Sequence, residues 1–175
     1  SVDPNLAGVF LSIAAKFGDA ERYDRWMPPY LERKAQGASP QESARYLQTI
    51  AAFRPEALTE RTLASIDDGS IPQESIGAVL CHLLGARHSQ SIAWSYVKKS
   101  WDGLAPRIGD MGIARVVESL GALPIAHRAD ISSFFAERPP AGAERALSRA
   151  IERMDQYDEL RARVTKDLVL HVSSR

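Results

Sequence analysis

The stretch "IPQESIGAVLCHLLGARHSQSIAWSYVKKSWDG" (Ile71–Gly103) decides the fold, because it repeats an earlier one. Laid over "SPQESARYLQTIAAFRPEALTERTLASIDDG" (Ser39–Gly69), it opens on the same Pro-Gln-Glu-Ser, at Pro72 and Pro40, about 32 residues further on. Each copy then carries an apolar segment of about four helical turns, a short polar turn, a second helical segment and a closing Asp-Gly. Proline is pre-organised for the first helical position, where no backbone N–H is needed. In the first copy Ser39 and Glu42 complete a capping box, in which each side chain satisfies a free backbone N–H. In the second copy Ile71 occupies the cap position, so Ser70 is the candidate cap one residue earlier. One helical pair cannot bury its apolar face alone, and stacked pairs share a core. The spacing therefore predicts an all-α fold: an αα-superhelix of stacked antiparallel helix pairs, HEAT- or armadillo-like, with nine or ten helices. The recurring "PQES" is explained by helix initiation and needs no binding role of its own.

Working outward, the same periodicity runs through the rest of the chain. Leu6, Val9, Phe10, Ile13 and Phe17 follow the spacing of one helical face, as do Ile76, Val79, Leu80, Leu83 and Leu84, and Ile113, Val116, Val117 and Leu120. Gly and Pro stand at the joints. Pro28-Pro29 falls where a helix should run and predicts a kink or restart there. "ERPPAGAE" (Glu137–Glu144) predicts a loop, and "LVLHV" (Leu168–Val172) the fraying end of the last helix. Residues 1–175 read as one helical repeat domain.

Composition narrows the function. Lys plus Arg and Asp plus Glu are each 22 in 175 residues, so the basic excess of a nucleic-acid binder is missing. No run approaches the roughly 20 apolar residues of a membrane span. The single cysteine, Cys81, forms no intrachain disulfide, which fits a reducing, cytoplasmic compartment. Cys81 reads as a core residue rather than a nucleophile. His82, His88, His127 and His171 form no His-Glu-x-x-His motif and have no metal-ligand spacing. "GDMG" (Gly109–Gly112) lacks the phosphate-loop pattern. Asp67-Asp68 reads as a solvated turn, and His127 as a surface or interface residue. Trp94, Val97 and Trp101 share one helical face and read as core, with Lys98 and Lys99 solvated on the other side. No catalytic constellation assembles, so this chain alone does not read as an enzyme, and no cofactor site is indicated in it.

"IAWSYVKKSWDGLAPRI" (Ile92–Ile108) resembles the Ala-Trp-x-Phe-x-x-x-Asn-Trp-(Asp/Asn)-x-Leu pattern in the C-terminal helical domain of M1-class zinc aminopeptidases, the domain shared with the endoplasmic reticulum aminopeptidases. "SPQESARYLQTIAAF", "LTERTLASIDDGSIPQES", "ISSFFAERP" and "AIERMDQYDELRARVTKDLVLHV" are similar, in order, to further segments of that domain. Ser100 departs from the Asn of the pattern, and the terminal pair lacks its Trp. The resemblance implies the later part of a non-catalytic domain that closes the substrate cavity of a longer aminopeptidase and helps select peptides. The zinc and its ligands would lie in an upstream catalytic domain, and the partners would be that domain and the peptide substrates. It places Arg87, in the "LLGARHS" turn, near a cavity-facing basic position and so makes it the candidate contact for a peptide carboxylate; the alternative is a solvated turn arginine. Arg107 and Arg115 are weaker candidates. Pro40, Pro72, Trp94 and Trp101 carry structural roles. The competing reading is a free-standing helical-repeat scaffold that binds a protein or peptide partner.

Overall fold

The computed structural model describes residues 4–35, 37 and 46–173, and side chains within 8–27, 37 and 46–166. Every regular element among them is helical. The α-helices are α1 (Pro4–Lys16), α2 (Ala20–Ala35), α3 (Glu56–Asp67), α4 (Gln73–Gly85), α5 (Gln90–Ser119), α6 (Arg128–Glu137) and α7 (Glu144–Ser173). Residues 46–50 are also helical, and two 3-10 turns, Leu120–Ala122 and Ile125–His127, link α5 to α6.

Helix α5 is two rods. Gly109 (φ 64°, ψ 174°) breaks it, three residues after Pro106, whose missing N–H already removes one helical bond. The chain reverses there. Gly77 of α4 consequently sits beside Gly112 of the second rod, close enough that a Cβ at Gly77 would lie 3.7 Å from the Gly112 Cα. The first rod lies along α6: Trp94 Nε1 donates to Asp130, and Trp101 meets Phe135 edge-on at 5.2 Å. Gln90 bonds to the Ala122 carbonyl and Lys98 to Asp130, each 32 residues away, and Trp94 to Asp130, 36 away.

The core follows the predicted faces. Ile76, Val79, Leu80, Leu83 and Leu84 are buried, with Trp94, Val97, Trp101, Val116, Val117 and Leu120. Trp94, Trp101, Phe134 and Phe135 form an aromatic cluster with most rings edge-to-face; each such pair adds about 0.5–1.5 kcal/mol beyond its buried area. Cys81 packs against this core, and burial pushes its thiol pKa up.

Several expectations need correction. Of the kink or restart expected at Pro28-Pro29, the restart does not occur: α2 continues through both, although the two prolines remove the amide donors of that turn. Of the apolar stripe of α1, Val9, Phe10, Ile13 and Phe17 are all at least half exposed, and among the described side chains of α1 Ala15 is buried. Asp102-Gly103 does not close a helix as Asp68-Gly69 does. Gly69 has φ 81°, whereas Gly103 sits inside the first rod, because Leu104, one residue on, is buried and draws the helix onward. Pro72 is the N-cap, one position earlier than predicted, with extended geometry and no side-chain cap; Ser70 does not cap, and its own N–H is bound by Asp68. The capping box of Ser39, Pro40 and Glu42 lies outside the described residues. Lys98 is not simply solvated: it pairs with Asp130 at 2.7 Å and lies over the Trp94 ring. Asp67 accepts a 2.7 Å bond from the Tyr96 hydroxyl.

Candidate functional site

A cleft of about 710 Å³ opens where three helical segments end. The last turn of α1 contributes Lys16, the segment after residues 46–50 contributes Arg54, and the end of α4 with its following turn contributes His82, Arg87 and His88. Among the described residues its lining contains no carboxylate. Among the described residues, neither Lys16, Arg54 nor Arg87 has an ion-pair partner; Arg54 lies 5.9 Å from the Phe17 ring centre.

Local packing fixes each cation. Residues 51–55 are pinned by Phe53, buried and edge-on to Tyr23 and Trp26 at 5.3 and 5.6 Å. Gly18 allows this approach, since a Cβ there would fall 2.5 Å from the Phe53 ring. The loop after α1 thus seats on Phe53 and brings Lys16 toward Arg54. The Arg87 turn is held from below by Ser89. Ser89 is fully buried, and its hydroxyl donates to the carbonyls of Leu83 (2.7 Å) and Ala86 (3.2 Å). It adds to the backbone bonds these carbonyls already accept, from the Ala86 N–H on Leu83 and from the Ser89 and Gln90 N–H groups on Ala86. Gln90, also buried, ties the same turn to the Ala122 carbonyl at 2.7 Å.

The electrostatics are one-sided. Burial lowers the pKa of His88, opposed by a hydrogen bond to the Phe53 backbone and reinforced by the charges of Arg54 and Lys16. Burial also lowers that of His82. Both imidazoles are therefore held toward the neutral form by burial, and His88 also by the charges of Arg54 and Lys16. Helix C-termini offset part of that charge, about half an elementary charge for each of α1 and α4, and a positive excess remains.

Arg87 also lines a second cleft of about 300 Å³, with Gln90, Tyr157, Leu160, Arg161 and Val164. There Asp158 opposes Arg161, so that cleft is nearer neutral. Arg107 and Arg115 are elsewhere, in a third cleft, and Arg107 is occupied by the Ile66 carbonyl at 2.8 Å. His127 is half-buried and lies 3.3 Å from the Ser91 hydroxyl. Trp94 and Trp101 belong to the core and Pro72 to a helix start, away from the cleft. Pro40 lies outside the described residues. Sequence reading missed Lys16, Arg54 and His88; their one shared signal is a basic residue at or just past a helical end.

The residues present do not fit a zinc site. Two imidazoles share the cleft, but among the described residues no group of three or more His, Cys, Asp or Glu side chains converges. No helix among the described residues is long and apolar enough to cross a membrane.

Comparison with known proteins places the chain: residues 1–156 match the ERAP1-like C-terminal domain family, and the chain belongs to that family. It is similar to "Aminopeptidase 2, mitochondrial" of Saccharomyces cerevisiae, with 24% identity over 148 residues, covering 82% of this chain and 15% of that protein. It is similar also to "Aminopeptidase M1-C" of Oryza sativa subsp. japonica, with 26% identity over 150 residues, 83% of this chain and 16% of that protein. The chain thus spans about a sixth of the length of these relatives.

Proposed function

We propose that this chain is the C-terminal helical domain of an M1-type zinc aminopeptidase and closes the substrate cavity of an upstream catalytic domain. In this reading that domain removes N-terminal residues with a zinc-activated water, and the present chain helps hold the far end of the peptide. The observation that carries the reading is the cleft around Arg87: three cations unpaired among the described residues, two imidazoles and no carboxylate, on walls fixed by buried side chains. A guanidinium offers a paired-donor match to a peptide's terminal carboxylate. The exposed apolar stripe of α1 and the exposed Tyr157, Leu160 and Val164 of α7 supply surface for docking the upstream domain. They equally suit the free-standing scaffold, so the discriminating property is carboxylate recognition. The single cysteine fits a cytoplasmic enzyme.

The test is kinetic. In the aminopeptidase that carries this chain, Arg87→Ala raises KM for peptides several-fold and leaves KM for a single-residue aminoacyl amide unchanged, because the amide never reaches the cleft. Charge-assisted bonds of this kind are worth about 1.5–3 kcal/mol when well formed, and the lower half of that range suits an exposed arginine. Equal effects on both substrates would remove Arg87 from substrate binding.

A further inference from the structure

We infer that the cleft selects peptides whose C-terminal segment carries an acidic side chain beside the terminal carboxylate, so that it takes acidic tails in preference to neutral ones. The inference rests on the proposed carboxylate contact at Arg87 and deepens it. One terminal carboxylate matches one guanidinium. Lys16 and Arg54, on two other segments lining the same cleft, are then left without a counter-charge among the described residues. Two helix C-termini supply about one elementary charge of opposite sign between them, less than two cations require. His82 and His88 add positive charge whenever they protonate, and no lining residue opposes them. The cleft's size, about 710 Å³, takes several residues of an extended chain rather than a single carboxylate. The neighbouring cleft differs, since Asp158 lines it alongside Arg161.

Lys16, Arg54 and Arg87 are exposed, so substituting them leaves the core intact. Four fluorescent peptides of one otherwise neutral sequence make the test: with or without Glu at the two positions before the last, each with a free carboxylate or a terminal amide. Binding to the 175-residue chain is followed by fluorescence anisotropy at low ionic strength. The free acidic-tail peptide should bind about five-fold or more tighter than the free neutral one, the yield of about 1 kcal/mol from one partly exposed charge pair. The ratio should fall toward one in Lys16→Gln/Arg54→Gln and as salt is raised. Arg87→Gln should weaken every peptide with a free carboxylate. If free neutral and acidic peptides bind alike, and both better than their amides, acidic-tail selection is wrong while the carboxylate reading stands. If Glu helps but amidation changes nothing, the terminal-carboxylate contact is wrong and the acidic preference has another basis. Binding by none of the four overturns both, and an acidic preference that survives loss of Lys16 and Arg54 overturns the acidic-tail selection by this cleft.

Discussion

Asp130→Ala is the sharpest test of how the repeat units are joined. Asp130 sits in the first turn of α6 and does three things. It accepts a 2.6 Å hydrogen bond from the indole N–H of Trp94, whose ring is 1% exposed. It pairs with Lys98 at 2.7 Å, where the two side chains are 44% and 33% exposed. Its charge also complements the N-terminus of α6. The indole bond dominates, because removing the carboxylate strands a donor on a buried ring, at about 1–3 kcal/mol. The half-exposed ion pair adds no more than about 1 kcal/mol, and the helix end a few tenths. The total comes to about 2 kcal/mol, or roughly 4–8 °C in Tm for a chain of this size.

Equilibrium urea unfolding of the wild type, Asp130→Ala, Trp94→Phe and the double variant isolates the indole term. Trp94→Phe keeps a ring against Phe134 and Phe135 but removes the donor, so Asp130→Ala should then cost only the ion-pair and helix-end terms, under about 1 kcal/mol. A coupling of about 1–1.5 kcal/mol is expected. Asp130→Asn, which keeps an acceptor and loses the charge, should cost less than Asp130→Ala. A coupling below roughly 0.3 kcal/mol, within the error of additivity, would refute the argument and leave Asp130 as a surface charge.

Two further predictions concern the backbone and pH. Gly109→Ala should destabilise by about 1–3 kcal/mol, because φ 64° with ψ 174° is open essentially to glycine alone; Gly103→Ala, in the same helix with nothing near its Cβ position, should be neutral or stabilising by a few tenths of a kcal/mol to about 1. Denaturation midpoints of the two variants should move in opposite directions or differ clearly in size. For pH, His88 and His82 have pKa values below the ordinary imidazole value of about 6.5. The unfolded chain therefore binds protons first as pH falls, so stability is full above about pH 6.5 and declines as pH drops through the folded-state values. A second loss follows at lower pH as Asp130 protonates, its pKa held down first by Lys98. The Tm profile between pH 7.5 and 5 should flatten in His88→Gln; an unchanged slope would mean that His88 is not held neutral by the fold.

Much of the fold is written in local chemistry. The faces of α4 and α5 repeat at helical spacing, and their residues are buried where that spacing places them. The loop at 138–143 follows from two prolines and Gly142 (φ 75°). What resisted reading depends on tertiary context. Asp68-Gly69 and Asp102-Gly103 are the same dipeptide, and only the burial of Leu104 and the later arrangement of Pro106 and Gly109 decide that one ends a helix and the other continues it. The α1 stripe has helical periodicity, but periodicity shows that a helix has an apolar side, not that the described chain covers it. Trp94 was legible as core; its bond to Asp130, 36 residues away, was not.

The cleft escaped for a different reason. Its cations come from residues 16, 54 and 87, and each has a sufficient local explanation: a basic side chain near a helix C-terminus complements the dipole there. Such a rule places single cations independently and creates no motif. The fold then brings residues that are far apart in sequence to one cleft. Arg87 was a candidate because its turn could be compared with a known pattern; Lys16 and Arg54 had no such comparison, and in the proposed reading they would supply the charge that one terminal carboxylate leaves unmatched. Binding sites in helical arrays should therefore be sought by collecting the charges at successive helix ends on one edge. In this chain that search leads to a cleft with three cations and, among the described residues, no lining acid, whose binding of anions is open to direct measurement.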